Sequence, residues 1–189
     1  PMNNPGDYTE ANAWQYTATP ALHDPAGFRE KLGGRAALEA WLDTFFALPM
    51  PDPDKHLGQE ALIGQYAHGN EPSHHIAWLY AWTDAPTKGE RHLADIARRF
   101  YRDAPDGIVG NDDAGQMSAW YVLTTLGLYP SRPGHAEWTL GAPLVPHARI
   151  DAGRDGPRVT ILAAPLDGPR IDDQAVPRNG VPDARLRHA

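Results

Sequence analysis

Two stretches of this chain, Ile76 to Trp82 and Met117 to Leu126, are apolar on nearly every side. A helix on a protein surface needs a polar face, so these segments must be enclosed by other elements. The stretches between and before them behave differently. From Arg35 to Ala47 the apolar residues Leu38, Trp41, Leu42, Phe45 and Phe46 fall on one helical stripe, and Pro49, Pro51 and Pro53 close the helix. From about Thr87 to Arg102 a second stripe runs through Leu93, Ile96, Ala97, Phe100 and Tyr101, with Thr87 and Glu90 spaced as a capping box. Gly127 and Pro130 end the segment that begins at Met117. With the short Asn12 to Thr17 segment as a further enclosed candidate, the order is inner, outer, inner, outer, inner. That alternation predicts a mainly α fold in which paired helices wind around an axis as an (α/α) toroid.

Beyond Trp138 the pattern changes to short β-type runs, Val159 to Leu162 being the clearest, separated by Gly, Pro and Asp clusters. The changeover falls near Pro130 to Gly134. Residues 1–133 are therefore expected to be helical barrel and residues 134–189 a β-strand segment that follows it. Both ends read as cut. The chain opens at Pro1 and enters the Trp- and Tyr-rich stretch from Tyr8 to Tyr16 without a leading element, and Ile171 to Ala189 is rich in Asp, Pro and Arg. A cut start leaves the sequence silent on export.

The net charge is −7, with dispersed carboxylates and no basic run of five residues, which argues against a nucleic-acid partner. No apolar run is long enough to span a bilayer. Without Cys, disulfides and thiolate metal sites are excluded.

Three polar clusters precede the three inner segments: Glu10 to Gln15, His68 to His75 and Asn111 to Gln116. Alternate helices of a toroid run the same way, so the clusters should gather on one face and bring Glu10, Glu71, Asp112 and Asp113 around one pocket. Carboxylates so placed can bind a metal, act as an acid and base pair, or do both. Each cluster also has an ordinary reading. Asp113 and Gln116 have capping-box spacing, and Glu71 followed by Pro72 is a common helix start. His74 and His75 point about 100° apart on a helix, which suits pocket-wall or core residues better than a metal pair. Trp14, Trp78, Trp82 and Trp120 suit a core, although an aromatic at a pocket rim can stack on a sugar.

The segment Gly110 to Pro130, GNDDAGQMSAWYVLTTLGLYP, closely resembles a signature of glycoside hydrolase family 92, the calcium-dependent bacterial α-mannosidases. So do HGNEPSHHIAWLYAW, His68 to Trp82, and EANAWQY, Glu10 to Tyr16, in the same order. The resemblance implies the latter part of an (α/α)6 catalytic barrel followed by a small β region, normally joined to an N-terminal β-sandwich domain. It implies exo-acting hydrolysis of α-mannosidic bonds, with inversion, in mannose-containing oligosaccharides or glycoprotein glycans. The parent enzyme would be secreted, periplasmic or held at the cell surface.

Carried over residue by residue, the resemblance makes Glu10 the general acid and Asp113 the general base. Asn111 stands where some members have an Asp near the water, and Asp112 lies between them in the catalytic group. Trp14, His68 and His74 become the substrate-binding residues. Asn70 and Glu71, with Gln15 as a third, become the Ca²⁺ ligands. Ala11 replaces a Gly usual after the acid, and Ala18 to Ala21 replaces an aromatic-bearing stretch. The fragment alone is expected to be inactive. Two other readings remain at this point: another inverting (α/α)6 glycosidase, and a non-catalytic carbohydrate-binding domain whose carboxylates only cap helices.

Overall fold

A computed structural model describes residues 22–49, 61–151, 158–163, 170–171, 174–175 and 181–182. The first helix, α1 (Pro25–Leu32), was not anticipated from hydrophobic periodicity, but its ends are written in the sequence. Asp24 accepts a hydrogen bond from the Gly27 backbone N–H at 2.9 Å, Pro25 takes the first turn, and Gly33 closes the helix at φ +108°. Helix α2 (Arg35–Ala47) has the expected bounds, with Leu38, Leu42, Phe45 and Phe46 buried. Trp41 lies half-exposed at the edge of that stripe and stacks on Phe45.

After α2 a small hairpin forms from β1 (Leu62–Ile63) and β2 (Tyr66–Ala67). The segment Ile76–Trp82 is enclosed as expected, with six of its seven residues buried, but it winds as a 3-10 helix rather than an α-helix. Apolar character all round reports burial and does not distinguish the two windings. Helix α3 (Pro86–Phe100) starts two residues earlier than its capping pattern suggests, at Pro86, and Thr87 makes no side-chain cap. The chain is turned there by Thr83, whose hydroxyl accepts from the Ala85 N–H at 3.1 Å. Helix α4 (Gln116–Thr125) buries Met117, Trp120 and Thr124. Its opposite side is less enclosed than the sequence suggests, since Tyr121 and Val122 are exposed.

The helices pack as successive outer and inner layers of part of an (α/α)6 toroid. The 3-10 helix is held between α2 and α3, and the approach of α3 is set at Gly89. A Cβ there would stand 2.6 Å from the Ala77 carbonyl oxygen and 2.7 Å from the Tyr80 Cβ. Beside this contact Lys88 Nζ reaches Glu39 at 2.7 Å and Asp43 at 2.6 Å, and the Tyr80 hydroxyl donates to Asp43 at 2.8 Å. Burial alone would raise the Asp43 carboxyl, but the hydrogen bonds from Lys88 and Tyr80 more than offset it and hold it below the usual range.

The small β region begins directly after α4. Strand β3 (Leu128–Tyr129) pairs antiparallel with β4 (Glu137–Leu140), which pairs with β9 (Val181–Pro182). A five-residue pair, β5 (His147–Asp151) with β6 (Arg158–Leu162), and a short pair, β7 (Arg170–Ile171) with β8 (Gln174–Ala175), complete the described strands. Tyr129 stacks on Trp78 with ring centroids 5.4 Å apart, which fixes β3 against the inner 3-10 helix. Among the described residues no helix is long and apolar enough to cross a membrane.

Replacing Gly by Ala inside a helix ordinarily stabilises it by about 1 kcal/mol. At Gly89 the sign should reverse, because the new methyl meets a carbonyl and a packed Tyr. Gly89→Ala is expected to lose about 2 kcal/mol in urea unfolding; a variant as stable as the parent would show that the α3 approach is not set there.

Candidate active site

Of the three predicted clusters, the first lies outside the described residues, and with it Glu10, Trp14 and Gln15. The second and third are brought together by hydrogen bonds between loop 68–75 and the start of α4. The Trp120 indole N–H donates to the His74 carbonyl at 3.0 Å, and the Gln116 amide nitrogen lies 3.3 Å from His74 Nδ1.

His68, placed among the sugar contacts from the sequence, is a core residue in the structure. It has no accessible surface and lies against the Trp120 ring at 4.4 Å. Its Nδ1 is 2.8 Å from the Tyr66 hydroxyl and its Nε2 is 2.7 Å from the Tyr101 hydroxyl. The directions of these bonds are fixed by elementary valence. The Tyr101 hydroxyl donates its one hydrogen to the Met117 carbonyl at 3.0 Å, so it must accept from His68 Nε2–H. In the neutral ring Nδ1 then accepts from Tyr66. His74, also buried, donates from Nε2 to the His68 carbonyl at 3.1 Å and accepts from Gln116 at Nδ1.

Both imidazoles are held neutral. Burial, with a smaller contribution from His74, pushes His68 down to about 2. Burial pushes His74 down to about 4, against a partial opposing effect of its bond to the His68 backbone. The chemistry available to this pair is therefore orientation. Tyr66 and Tyr101, which complete the line, were not singled out from the sequence as site residues. The alternation Tyr66, Ala67, His68 puts Tyr66 and His68 on one side of an extended strand and was the available signal.

Asn70 is buried and precedes a single 3-10 turn, Glu71–Ser73, whose Ser73 N–H and hydroxyl both turn back to the Asn70 carbonyl. The Asn70 side chain makes no cap, and its amide nitrogen has no hydrogen-bond partner among the described residues. Glu71 beside it is half-buried. Among the described residues no group of three or more His, Asp or Glu is gathered as a metal site.

The Asn111 to Gly115 loop separates its two acids by backbone geometry. Asp112, grouped with the catalytic residues from the sequence, is the residue that caps α4. Its carboxylate accepts from the Ser118 N–H at 2.9 Å and from the Ser118 hydroxyl at 3.0 Å, while its carbonyl accepts from Gly115 and Met117. The capping-box spacing of Asp113 and Gln116 is not used. Asp113, Ala114 and Gly115 run consecutively through left-handed backbone at φ +45°, +57° and +96°. The turn leaves Asp113 exposed, and among the described residues its carboxylate takes no hydrogen bond or ion pair. Asn111, also exposed, accepts from the Asp113 N–H at 3.4 Å through its side-chain oxygen.

A fungal relative, the "uncharacterized secreted glycosidase" of Arthroderma benhamiae, is 27% identical over 145 residues, which cover 77% of this chain and 17% of that protein. A family GH92 α-mannosidase from Bacteroides thetaiotaomicron, solved with mannoimidazole, superposes with a TM-score of 0.73 at 34% identity over 84% of this chain and 21% of that one. A family GH92 inverting mannosidase from the same organism gives a TM-score of 0.75 at 31% identity over 96% of this chain and 27% of that one. The chain thus spans 17% to 27% of the length of these relatives. The family model of the glycosyl hydrolase family 92 catalytic domain matches residues 1–186, and the chain belongs to that family.

Proposed function

We propose that this chain carries part of the active site of an exo-acting, inverting, Ca²⁺-dependent α-mannosidase that removes mannose from oligosaccharides or glycoprotein glycans. Asp113 carries this reading. A carboxylate that served only to cap a helix would be bonded to it, and here Asp112 does that work while Asp113 is turned outward on left-handed backbone. Such a strained position is characteristic of functional sites. The solved relatives are α-mannosidases, and one is named as inverting, which supports the same substrate class and stereochemistry.

In this mechanism Asp113 takes a proton from a water molecule as the water oxygen bonds to the anomeric carbon. Glu10 protonates the departing glycosidic oxygen on the opposite side as the old bond breaks. Inversion requires the two carboxyl groups to stand roughly 6.5–9.5 Å apart, leaving room for the water. Asn111, whose side-chain oxygen is engaged within the loop, has its NH₂ group to hold the water, so the negative charge resides on Asp113.

The residues at the second cluster fit a hard cation in kind. Asn70 and Glu71 offer amide and carboxylate oxygens, and the unpartnered Asn70 amide nitrogen means that no hydrogen bond fixes which way that amide faces. Asn70 and Glu71, with Gln15, would hold Ca²⁺, which supplies a grip on two adjacent mannose hydroxyls. On this reading residues 1–133 belong to the barrel, residues 134–189 follow it, and an N-terminal β-sandwich domain of the same enzyme completes the pocket. The parent enzyme acts outside the cytoplasm, secreted, periplasmic or at the cell surface, as the name of the fungal relative suggests.

In the full-length enzyme, Asp113→Asn should lower kcat by about 10²- to 10⁴-fold with little change in KM; unaltered turnover would return the carboxylates to a capping role. Proton NMR of the first product should show β-mannose before mutarotation, and an α anomer would exclude inversion. Chelation should abolish activity and added Ca²⁺ restore it. Asn70→Ala or Glu71→Gln should raise the Ca²⁺ needed for half-maximal rate by about tenfold or more. Activity indifferent to Ca²⁺ and to mannose-like iminosugars would favour a different (α/α)6 glycosidase.

A further inference from the structure

Tyr101 stands where α3 ends, and the two ends of the loop bearing Asn111 and Asp113 both return to it. At the near end its backbone forms an antiparallel bridge with Ile108, two residues before Gly110. The excursion between them is itself closed by the Arg102 N–H bonded to the Gly107 carbonyl and the Gly107 N–H bonded to the Ala104 carbonyl. At the far end the Tyr101 hydroxyl donates to the carbonyl of Met117, in the first turn of α4. One residue therefore holds both sides of the eight-residue span 109–116. The same hydroxyl accepts from His68 Nε2–H, and the His68 carbonyl accepts from His74, so the clamp is joined to the loop that carries Asn70 and Glu71.

We propose that Tyr101 is a positioning residue for the hydrolytic reaction: its one hydroxyl, beside the bonds of Gln116 and Trp120 to His74, helps to fix where Asp113 stands relative to the Asn70 and Glu71 loop. As a statement about catalysis this rests on the mannosidase reading; as a statement about the loop it does not. Without the hydroxyl, the span 109–116 keeps its near tether, and its far end is left to the bonds of Gln116 and Trp120 to His74. A base that drifts by about 1 Å can cost on the order of 10²-fold in rate while leaving substrate contacts unaffected. The ring itself is packed independently, stacked on Tyr121 at 4.6 Å and on Trp120 at 6.0 Å, so removing the oxygen leaves the aromatic contacts in place.

The test is Tyr101→Phe in the full-length enzyme, read by amide hydrogen exchange and by steady-state kinetics, with Tyr121→Phe as a control that keeps the stack and touches neither His68 nor Met117. For Tyr101→Phe, exchange should rise about tenfold at residues 110–117 while the interior of α3 keeps its protection. In the same variant kcat should fall by roughly 10- to 100-fold with KM within about threefold of the parent. The control should match the parent in both readouts. Unchanged exchange in the loop overturns the proposal. So does a rise spread evenly over α3, outright failure to fold, or a kcat that holds although the loop loosens. If the unmodified enzyme does not cleave α-mannosides, the mannosidase reading fails by itself, and the exchange measurement still decides whether Tyr101 clamps the loop.

Discussion

A segment buried on every side has no water to satisfy its backbone, so it must find all its polar partners within the protein, and its neighbours must approach closely enough to supply them. The 3-10 helix Ile76–Trp82 sets that constraint here. Its enclosure explains why α3 comes in over a residue without a side chain at Gly89, and why Tyr80 sends its hydroxyl outward to the Asp43 and Lys88 pair rather than leaving it unpaired in the core. It also explains the stacking of Tyr129 on Trp78, which joins the β region to the helical layers. The polar residues just before this helix share its enclosure: His68, Asn70, Ser73, His74 and His75 are all buried.

Helix periodicity made the outer elements legible. The stripe Leu38, Leu42, Phe45 and Phe46 in α2, and Leu93, Ile96 and Ala97 in α3, could belong to little else, since three or four apolar residues at that spacing define a single face. Helix α1 was missed for the converse reason: it buries only Pro25, so its evidence lay in Asp24, Pro25 and Gly33 at its ends rather than in a stripe. The choice between 3-10 and α winding at Ile76–Trp82 was not legible, because a fully buried surface imposes no period to read.

The candidate site divides along a similar line. That loop 68–75 and the Asn111 to Gln116 cluster meet followed from the toroid, where alternate helices start on the same face. Which acid would cap α4 did not follow. Spacing favoured Asp113, but three consecutive left-handed residues shift the turn so that Asp112 reaches Ser118. The burial of His68 was equally hidden, because a His that faces a ligand and a His bonded between two tyrosines look alike in a motif. Tyr101 belonged to a recognised stripe, and nothing in a periodic pattern indicates that a hydroxyl at the end of a helix also spans to the start of the next.

The left-handed run at Asp113 has an evolutionary corollary. Side chains other than Gly are disfavoured at positive φ, and the short polar Asp and Asn tolerate it best because they can bond locally. Glu offers the same carboxylate, yet its longer chain brings the steric penalty without that compensation. The repertoire at this position is therefore narrowed by backbone shape before acidity is considered. If Asp113 activates the water as proposed, a lineage that altered the turn would have to re-site that group and could not simply exchange one acid for the other.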